Sequence, residues 1–335
     1  MPTACILQRG ASVRLHSERI EIWAPPEEGG TLSRIRDVPI HDVERLILRE
    51  GSHISTEALC ALLRADIPIS LLGWNDRFAG GFLPPTNHHG LWRLRQYEKT
   101  MSPDFALNIA KRLVLAKIAN QRRVLQRLSA NRAQQMPEEM RFLQNMRDLA
   151  VRTENLDELR GYEGAAAARY FQAWATFLPV DFPFERRSTR PPHNAVNACI
   201  SFGATILYNE SVAAIHAHGL DPALGILHAT ENGRWSLALD LIEPFRPVLV
   251  EALALDLFTH KMVDRTCFEP HQGGIYLSER GRRIFVLQYE RRMDRQFMSE
   301  HAGHRTTIRD QLFDMAAQYK SAIENPDYFL PFEMN

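Results

Sequence analysis

The sequence has few cysteines, and their spacing excludes the common thiolate metal sites. Its four cysteines, Cys5, Cys60, Cys199 and Cys267, lie far apart in a chain of 335 residues. Without a C-x-x-C pair, two thiolates are not placed on one ion. We therefore expect reduced thiols that are mostly buried. The chain also lacks a G-x-G-x-x-G motif and a P-loop, which argues against nucleotide binding by either route.

Long apolar runs are missing as well. No run approaches the roughly 18 residues needed to span a bilayer, and the N-terminus lacks the basic-then-apolar pattern of a signal peptide. The hydrophobic fraction of 45% and the charged fraction of 24% are close to the globular average. We expect a folded cytoplasmic protein, and its length favours two domains.

An excess of charge of one sign is absent from the whole chain but not from its parts. Lys and Arg number 40, and so do Asp and Glu, which argues against a generally basic surface for nucleic acid. Between residues 91 and 132, however, ten Lys and Arg stand against two acids. This excess is more than ion pairing along a helix needs. We interpret it as a phosphate-binding surface, with a merely solvated helix face as the alternative.

The N-terminal part has the apolar period of strands. Segments 13–15 and 20–22 flank a polar turn and predict a hairpin, and Ser55 is predicted to cap a short helix. Further strands are predicted at 43–48, 67–72 and 78–83, the last of them after a turn at 75–77.

After the turn-forming stretch 84–90, the apolar period becomes that of helices. Ser102-Pro103 predicts the start of a long basic helix. Further helices are predicted at about 155–177, 194–218, 249–261, 280–297 and 306–323. The sequence thus predicts an α+β protein, with a small β-rich N-terminal domain over residues 1–88 and a larger, all-helical domain over residues 89–335.

Glu163 is the most informative single residue. The positions four before it and three after it are Leu159 and Ala166, so its carboxylate projects from the apolar face of a predicted helix. A carboxylate there requires a partner, because an unpaired buried charge is costly. A salt bridge to Arg187 or Arg190 is the structural interpretation, and a metal ion is the functional one.

A second group of candidate ligands follows further along the chain. His228 ends an apolar tripeptide, and by itself it is more typical of a hydrogen-bonded histidine than of a ligand. Asp240 and Glu243 lie three residues apart in an apolar stretch, which puts both on one face of a helical turn. Two such acids need a shared cation or a base. Carboxylates with one imidazole match Mg²⁺ or Mn²⁺ better than a thiolate zinc site.

Four segments of the helical part carry motifs of a known family. They are 161–168 (GYEGAAAA), 196–203 (VNACISFG) with 207–210 (LYNE), 219–222 (GLDP) leading to His228, and 236–247 (SLALDLIEPFRP). Their order and spacing resemble the CRISPR-associated spacer-acquisition integrases, the Cas-one (Cas1) family, over essentially the whole chain. The chain departs from the family at Asn194-Ala195, where many relatives have Asp-Pro, and at Glu243, where some have Asp.

The resemblance implies an assembly and an activity. Two homodimers of this family clamp a small dimer of the Cas-two (Cas2) family, and a short DNA duplex lies across the assembly. Its 3′ hydroxyls attack the phosphodiester backbone of the CRISPR repeat. By motif position, the resemblance implies the metal ligands Glu163, His228 and Glu243, the accessory catalytic acid Asp240 and the phosphate contact Arg246. To these we add three predicted phosphate contacts from the basic helix, Arg112, Arg122 and Arg123.

Two other functions stay open. The same metal site would serve a nuclease that cleaves branched or single-stranded DNA without integrating it, because water or a DNA hydroxyl can be the nucleophile. Alternatively, the protein is a non-catalytic helical DNA-binding scaffold in which Glu163, Asp240 and Glu243 are structural ion pairs.

Overall fold

The computed structural model describes residues 3–25, 31–43, 45–73, 78–82, 84, 90–132, 135–300 and 303–335. The turn predicted at 75–77 and the domain boundary predicted between residues 88 and 89 lie outside the described residues. Strands dominate before this boundary and helices after it, so the coarse division into a β-rich part and a mostly helical part is confirmed.

The N-terminal part contains eight strands, one α-helix and one short 3-10 helix (Ile40–Asp42) among its described residues. The strands are β1 (Thr3–Ile6), β2 (Ser12–His16), β3 (Arg19–Ala24), β4 (Ser33–Pro39), β5 (Arg45–Arg49), β6 (His53–Ile54), β7 (Ile69–Leu72) and β8 (Phe78–Phe82), and the α-helix is α1 (Thr56–Arg64). They form two four-stranded sheets, in the orders β1-β5-β7-β8 and β4-β3-β2-β6. The predicted hairpin is confirmed, because β2 and β3 pair antiparallel with Val13 opposite Ile22.

Helices dominate the remainder of the chain. They are α2 (Gly90–Thr100), α3 (Pro103–Arg132), α4 (Pro137–Arg152), α5 (Leu156–Ala175), α6 (Ala195–Ala217), α7 (Ser236–Ile242), α8 (Ala252–Thr259), α9 (Glu279–Met293) and α10 (Ile308–Ala322). Three predicted helix starts are confirmed: Pro103 opens α3, and α5 and α6 begin directly after Asn155 and Asn194, whose side chains cap them. Helices α2 and α4 were not predicted.

The prediction of an all-helical C-terminal domain is wrong in one respect. Four short strands form two hairpins there, β9 (Phe268–His271) with β10 (Gly274–Leu277), and β11 (Phe297–Ser299) with β12 (His304–Thr306). Strands of three or four residues are too short to show alternation against a helical background. The helix predicted up to residue 297 ends at Met293, because residue 297 already belongs to strand β11.

Helix α6 is a largely buried helix, and it corrects the expectation that no apolar segment is long enough to span a bilayer. Its 23 residues are long and apolar enough to cross a membrane, although no run near that length was expected. Asn and Ser side chains interrupt the run in the sequence and hide its length. Of its most apolar window, 72% is buried inside the protein, as in the core helix of many globular proteins, so it is weak support for a membrane span.

Two hydrophobic clusters hold the described residues together. The smaller lies between the two sheets and α1, and the larger is built by the helices. Leu7, Ile47 and Leu72, from the β-rich part, pack into the helical cluster. An ion pair between Arg45 of β5 and Glu210 of α6 crosses the same contact, and Arg309 of α10 extends it within the helical part. We call this set the interface cluster; it consists of Arg45, Glu210, Glu290, Asp294 and Arg309.

Candidate metal centre

Three segments of the helical part bring Glu163, His228 and Glu243 into one region. Glu163 lies on α5, His228 in the loop before α7, and Glu243 immediately after the last residue of α7. The side chain of Arg160 ties α5 to this loop, because its Nε donates to the carbonyl oxygen of Leu227 at 2.7 Å. We refer to Glu163, His228 and Glu243 as the candidate metal centre.

A lysine stands between the two glutamates. The ammonium group of Lys117, on α3, contacts the carboxylates of both Glu163 and Glu243. Sequence reasoning therefore identified the need of Glu163 for a cation but not its source. The interpretation that Arg187 or Arg190 is the partner is wrong, since the Nη1 of Arg187 donates to the Oδ1 of Asn197 at 2.5 Å.

Glu243 is almost completely buried, and cations surround it. Its side chain is 3% exposed, and the Nη1 of Arg246 lies 2.8 Å from its Oε1. Burial by itself raises the pKa of Glu243, but the charges of Arg246, Lys117 and His228 outweigh it and hold that pKa well below its ordinary value. Glu243 is thus an ionised carboxylate, the form that binds a metal ion.

Asp240 does not lie beside the two glutamates but behind the histidine. It is fully buried, and its carboxylate accepts the backbone N–H groups of Ile226, Leu227 and His228 at 2.5, 3.0 and 2.9 Å. The same carboxylate lies 2.6 Å from the Nδ1 of His228. Burial lowers the pKa of His228, but Asp240 outweighs it and the net shift is upward. Asp240 therefore positions the loop and leaves Nε2 of His228 as the nitrogen for an ion.

Gly225 permits the close turn of this loop. A Cβ atom at this position would lie 2.1 Å from the carbonyl oxygen of His228 and 2.5 Å from the Cβ of Ser236. Both contacts are shorter than van der Waals contact, so the loop requires glycine here. The tripeptide before His228 therefore begins with Gly225 for a steric reason.

The side chains at this centre are of the types that bind a divalent ion, but their carboxylates converge on a lysine. Among the described residues, no three His, Cys, Asp or Glu side chains are arranged as a metal site. The ammonium group of Lys117 occupies the space between the carboxylates of Glu163 and Glu243. Two carboxylates converge on one cation, and the charge of Glu243 contributes to the raised pKa of the His228 imidazole. Carboxylates with one imidazole are the donor set expected for Mg²⁺ or Mn²⁺.

Sequence reasoning missed Glu251, a further buried acid in this region. It ends the π-helical turn Arg246–Glu251, is 2% exposed, and its Oε2 has no hydrogen-bond partner among the described residues. Burial raises its pKa, and the charges of Arg246, Lys117 and Arg187 oppose this effect. The detectable signal was a single acid in the apolar run 248–255.

A cavity lined by arginines opens beside the candidate metal centre. Its volume is about 680 Å³, and its charged lining consists of four arginines, Arg187, Arg190, Arg234 and Arg246, and one acid, Glu231, which lies 3.1 Å from Arg234. Burial, and then the charge of Arg246, lower the pKa of Arg187 to about 10. Arg246 belongs both to this lining and to the pair with Glu243, so the cavity and the centre are continuous. Sequence reasoning named only Arg246 of these four as a phosphate contact.

The three arginines predicted on the basic helix have partners within the chain. Arg112 donates to Asp327 at 2.6 Å and to the carbonyl oxygen of Phe329 at 3.2 Å. Arg122 contacts the side-chain oxygen of Gln144, and Arg123 contacts the carbonyl oxygen of Asn335. They hold α4 and the C-terminal segment rather than the candidate centre.

The sequence matches a known family model and is similar to several known proteins. A family model described as CRISPR associated protein Cas1 matches residues 4–291. A CRISPR-associated endonuclease Cas1 of Thermodesulfovibrio yellowstonii is 32% identical over 302 residues, which cover 88% of this chain and 92% of the relative. A Cas4 exonuclease and Cas1 endonuclease fusion of Geobacter sulfurreducens is 33% identical over 272 residues, and the match covers 78% of this chain but only 49% of the fusion.

The fold is also similar to solved structures. The chain of a casposase bound to integration product superposes with a TM-score of 0.88 at 20% identity, covering 100% of this chain and 95% of that chain. At this level of identity the likeness concerns the fold alone.

Proposed function

The chain belongs to the Cas1 family of CRISPR-associated proteins, and from this premise we propose that it is a divalent-metal-dependent DNA endonuclease and integrase. It inserts short duplex DNA into the repeat array by attack of 3′ hydroxyls on phosphodiesters. The observation that carries this proposal is the convergence of Glu163 and Glu243 on one cation, beside a histidine oriented by Asp240.

Each residue of the centre has a distinct role. Glu163, Glu243 and the Nε2 of His228 would hold the ion, and Asp240 is a positioning residue that fixes the ring of His228. A bound Mg²⁺ or Mn²⁺ supplies polarisation of a phosphoryl oxygen and helps to activate a hydroxyl nucleophile. Arg246 keeps Glu243 ionised and presents its remaining N–H groups to the negative charge of the phosphodiester.

The DNA strand enters through the arginine-lined cavity. Arg187, Arg190 and Arg234 join Arg246 there, and guanidinium groups suit the bidentate binding of phosphate oxygens. The hydroxyl groups of Ser201 and Tyr208 add neutral hydrogen-bonding groups to the lining. The predicted contacts Arg112, Arg122 and Arg123 do not line this cavity and instead contact α4 and the C-terminal segment, so we assign them a secondary contribution to DNA binding.

Partners follow from family membership. The proposed assembly contains two copies of a homodimer, a small Cas2 dimer and a DNA duplex with free 3′ ends. Relatives of this chain carry the name CRISPR-associated endonuclease, which supports action on DNA. A nuclease without integration would use the same three ligands.

A joining assay tests the proposal. The protein, with and without its candidate Cas2 partner, is incubated with Mn²⁺, a short duplex with free 3′ hydroxyls and a supercoiled plasmid that contains a repeat. We expect joined products from the wild type and a loss of about a thousandfold in Glu163→Gln. The matched control is Glu154→Gln, since Glu154 is exposed and lies just before the same helix.

The outcomes separate the candidate functions. Equal activity of the wild type and Glu163→Gln would overturn the metal centre. Cleavage without joining under all conditions would favour the nuclease. Neither cleavage nor joining, with a Glu163→Gln variant that differs from the wild type only in stability, would favour the DNA-binding scaffold.

A further inference from the structure

Lys117 is a buried cation held by two proposed metal ligands. Its side chain is 9% exposed, compared with 22% for Glu163 and 3% for Glu243. Burial opposes its charge, but Glu243 and Glu163 outweigh this effect and raise its pKa, so it is an ammonium ion in the folded protein. The lysine and the two acids come from three different segments, and the ammonium fixes their relative position.

An ammonium and a metal ion compete for the same space. A ligated Mg²⁺ lies about 2.0–2.1 Å from carboxylate oxygens, so an ion shared by Glu163 and Glu243 would occupy the region that now holds the Nζ of Lys117. Two cations in that space would also repel each other strongly at low dielectric. The two arrangements exclude each other.

We propose that Lys117 is an internal cation that holds the Glu163–Glu243 pair together in the metal-free protein and leaves it when a divalent ion binds. This inference rests on the proposed function, since it takes these glutamates as metal ligands. It assigns Lys117 a role in setting the metal affinity of the centre. A purely structural lysine would stay in contact with both carboxylates.

Glu251 is the acceptor for the displaced ammonium. It is buried, its Oε2 lacks a hydrogen-bond partner among the described residues, and the π-helical turn that it ends begins at Arg246, the residue paired with Glu243. The flexible lysine stem allows a short movement of Nζ without a change of the backbone. A buried carboxylate without a full set of partners is costly, so the new pair offsets part of the loss at Glu163 and Glu243.

Calorimetric titration of the full chain with Mn²⁺ tests the proposal without an activity assay. We expect Lys117→Met to bind Mn²⁺ about tenfold more tightly than the wild type, because no ammonium has to be displaced. Lys117→Arg should bind more weakly than the wild type, since a guanidinium holds two carboxylates in fixed geometry. The matched control, Lys111→Met, lies six residues earlier on the same helix and should not change the affinity.

Thermal unfolding supplies a second readout. Without Mn²⁺, Lys117→Met should unfold at a lower temperature, because the glutamates then repel each other. Added Mn²⁺ should raise its unfolding temperature by more than that of the wild type. If Lys117→Met does not fold, the weaker Mn²⁺ binding expected of Lys117→Arg still tests whether Lys117 competes with the ion.

A double-mutant cycle tests the role of Glu251. Glu251→Gln should weaken Mn²⁺ binding in the wild type and have little effect in the Lys117→Met background. Equal Mn²⁺ affinity in the wild type, Lys117→Met and Lys117→Arg would overturn the inference while leaving the metal centre intact. If the wild type shows no Mn²⁺ binding that depends on Glu163, the proposed function itself fails.

Discussion

The helical part contains two buried charge clusters, and the contrast between them separates a candidate site from a structural contact. In the interface cluster, Arg309 lies 2.6 Å from Glu290 and 2.8 Å from Asp294, and Arg45 lies 2.5 Å from Glu210. The pair of Arg45 and Glu210 joins the β-rich part to the helical part, and Arg309 connects helices within the helical part. The candidate metal centre instead adjoins an arginine-lined cavity, where a ligand has access.

The pKa shifts of the two buried glutamates run in opposite directions. Burial raises the pKa of Glu210 even though Arg45 opposes it, whereas Arg246, Lys117 and His228 together overcome burial and lower the pKa of Glu243. The cations around Glu243 thus exceed what is needed to offset burial. Buried charge alone therefore does not identify a site; an ionised carboxylate beside a cavity does.

Removal of Arg309 should have the largest effect on stability. Arg309→Met removes the buried guanidinium that contacts Glu290, Asp294 and Glu210, so we expect the free energy of unfolding to fall by about 3–5 kcal/mol. Denaturant unfolding measures the loss, and the exposed Arg305→Met is the control. The Mn²⁺ affinity of the folded variant should not change. A large change in that affinity would contradict the separation of the two clusters.

Asp240→Asn should weaken metal binding by about 10 to 100-fold. The asparagine amide cannot accept both the backbone N–H groups and the Nδ1 hydrogen of His228, so the ring loses its fixed orientation. Calorimetry with Mn²⁺ measures the affinity, and Asp181→Asn, at an exposed position, is the control. A variant that loses stability but keeps its affinity for Mn²⁺ would show that Asp240 serves only the loop.

The stability loss in Arg45→Met should depend on pH. At neutral pH we expect a loss of about 1–3 kcal/mol, less than for Arg309→Met, because Arg309 still faces Glu210 at 3.7 Å. Since the folded pKa of Glu210 is raised, its contribution to stability is fully present below 4.5 and is lost as pH rises through that folded pKa. The variant raises this pKa further. Its deficit relative to the wild type should therefore shrink as pH falls and Glu210 becomes protonated.

Denaturant unfolding of the wild type and Arg45→Met across a pH series measures this deficit. A deficit that stays constant into the acid range would mean that Glu210 does not titrate as its surroundings indicate. Glu57→Gln, a substitution of an exposed glutamate in α1, controls for general acid effects.

Arg123→Gln should have the smallest effect. Arg123 contacts the C-terminal segment, so we expect a stability loss of about 1 kcal/mol or less. The slope of log affinity for DNA against log salt should change by less than about 1, whereas Arg187→Gln should change it by about 1. A larger change of this slope for Arg123→Gln would indicate that the main DNA contact lies on α3 and not in the cavity.

Local signals explain why much of the fold was predictable. Ser55, Asn155 and Asn194 accept backbone N–H groups two or three residues ahead, so the helix starts they mark depend on neighbouring residues alone. The β2–β3 hairpin likewise depends on one short turn. The two hairpins of the helical part were missed because strands so short are stabilised by packing against other elements rather than by their own pattern.

The sequence by itself determined that Glu163 lies on an apolar helix face and needs a cation, since helical periodicity is a property of adjacent turns. Family motifs added His228 and Glu243 as its predicted partners. Only the tertiary structure decided that Lys117 is the cation, that Asp240 lies behind the histidine, and that Glu251 and the cavity arginines adjoin the centre. Those residues lie on different helices and loops, and the packing of these elements, not their order in the chain, sets the distances between charges.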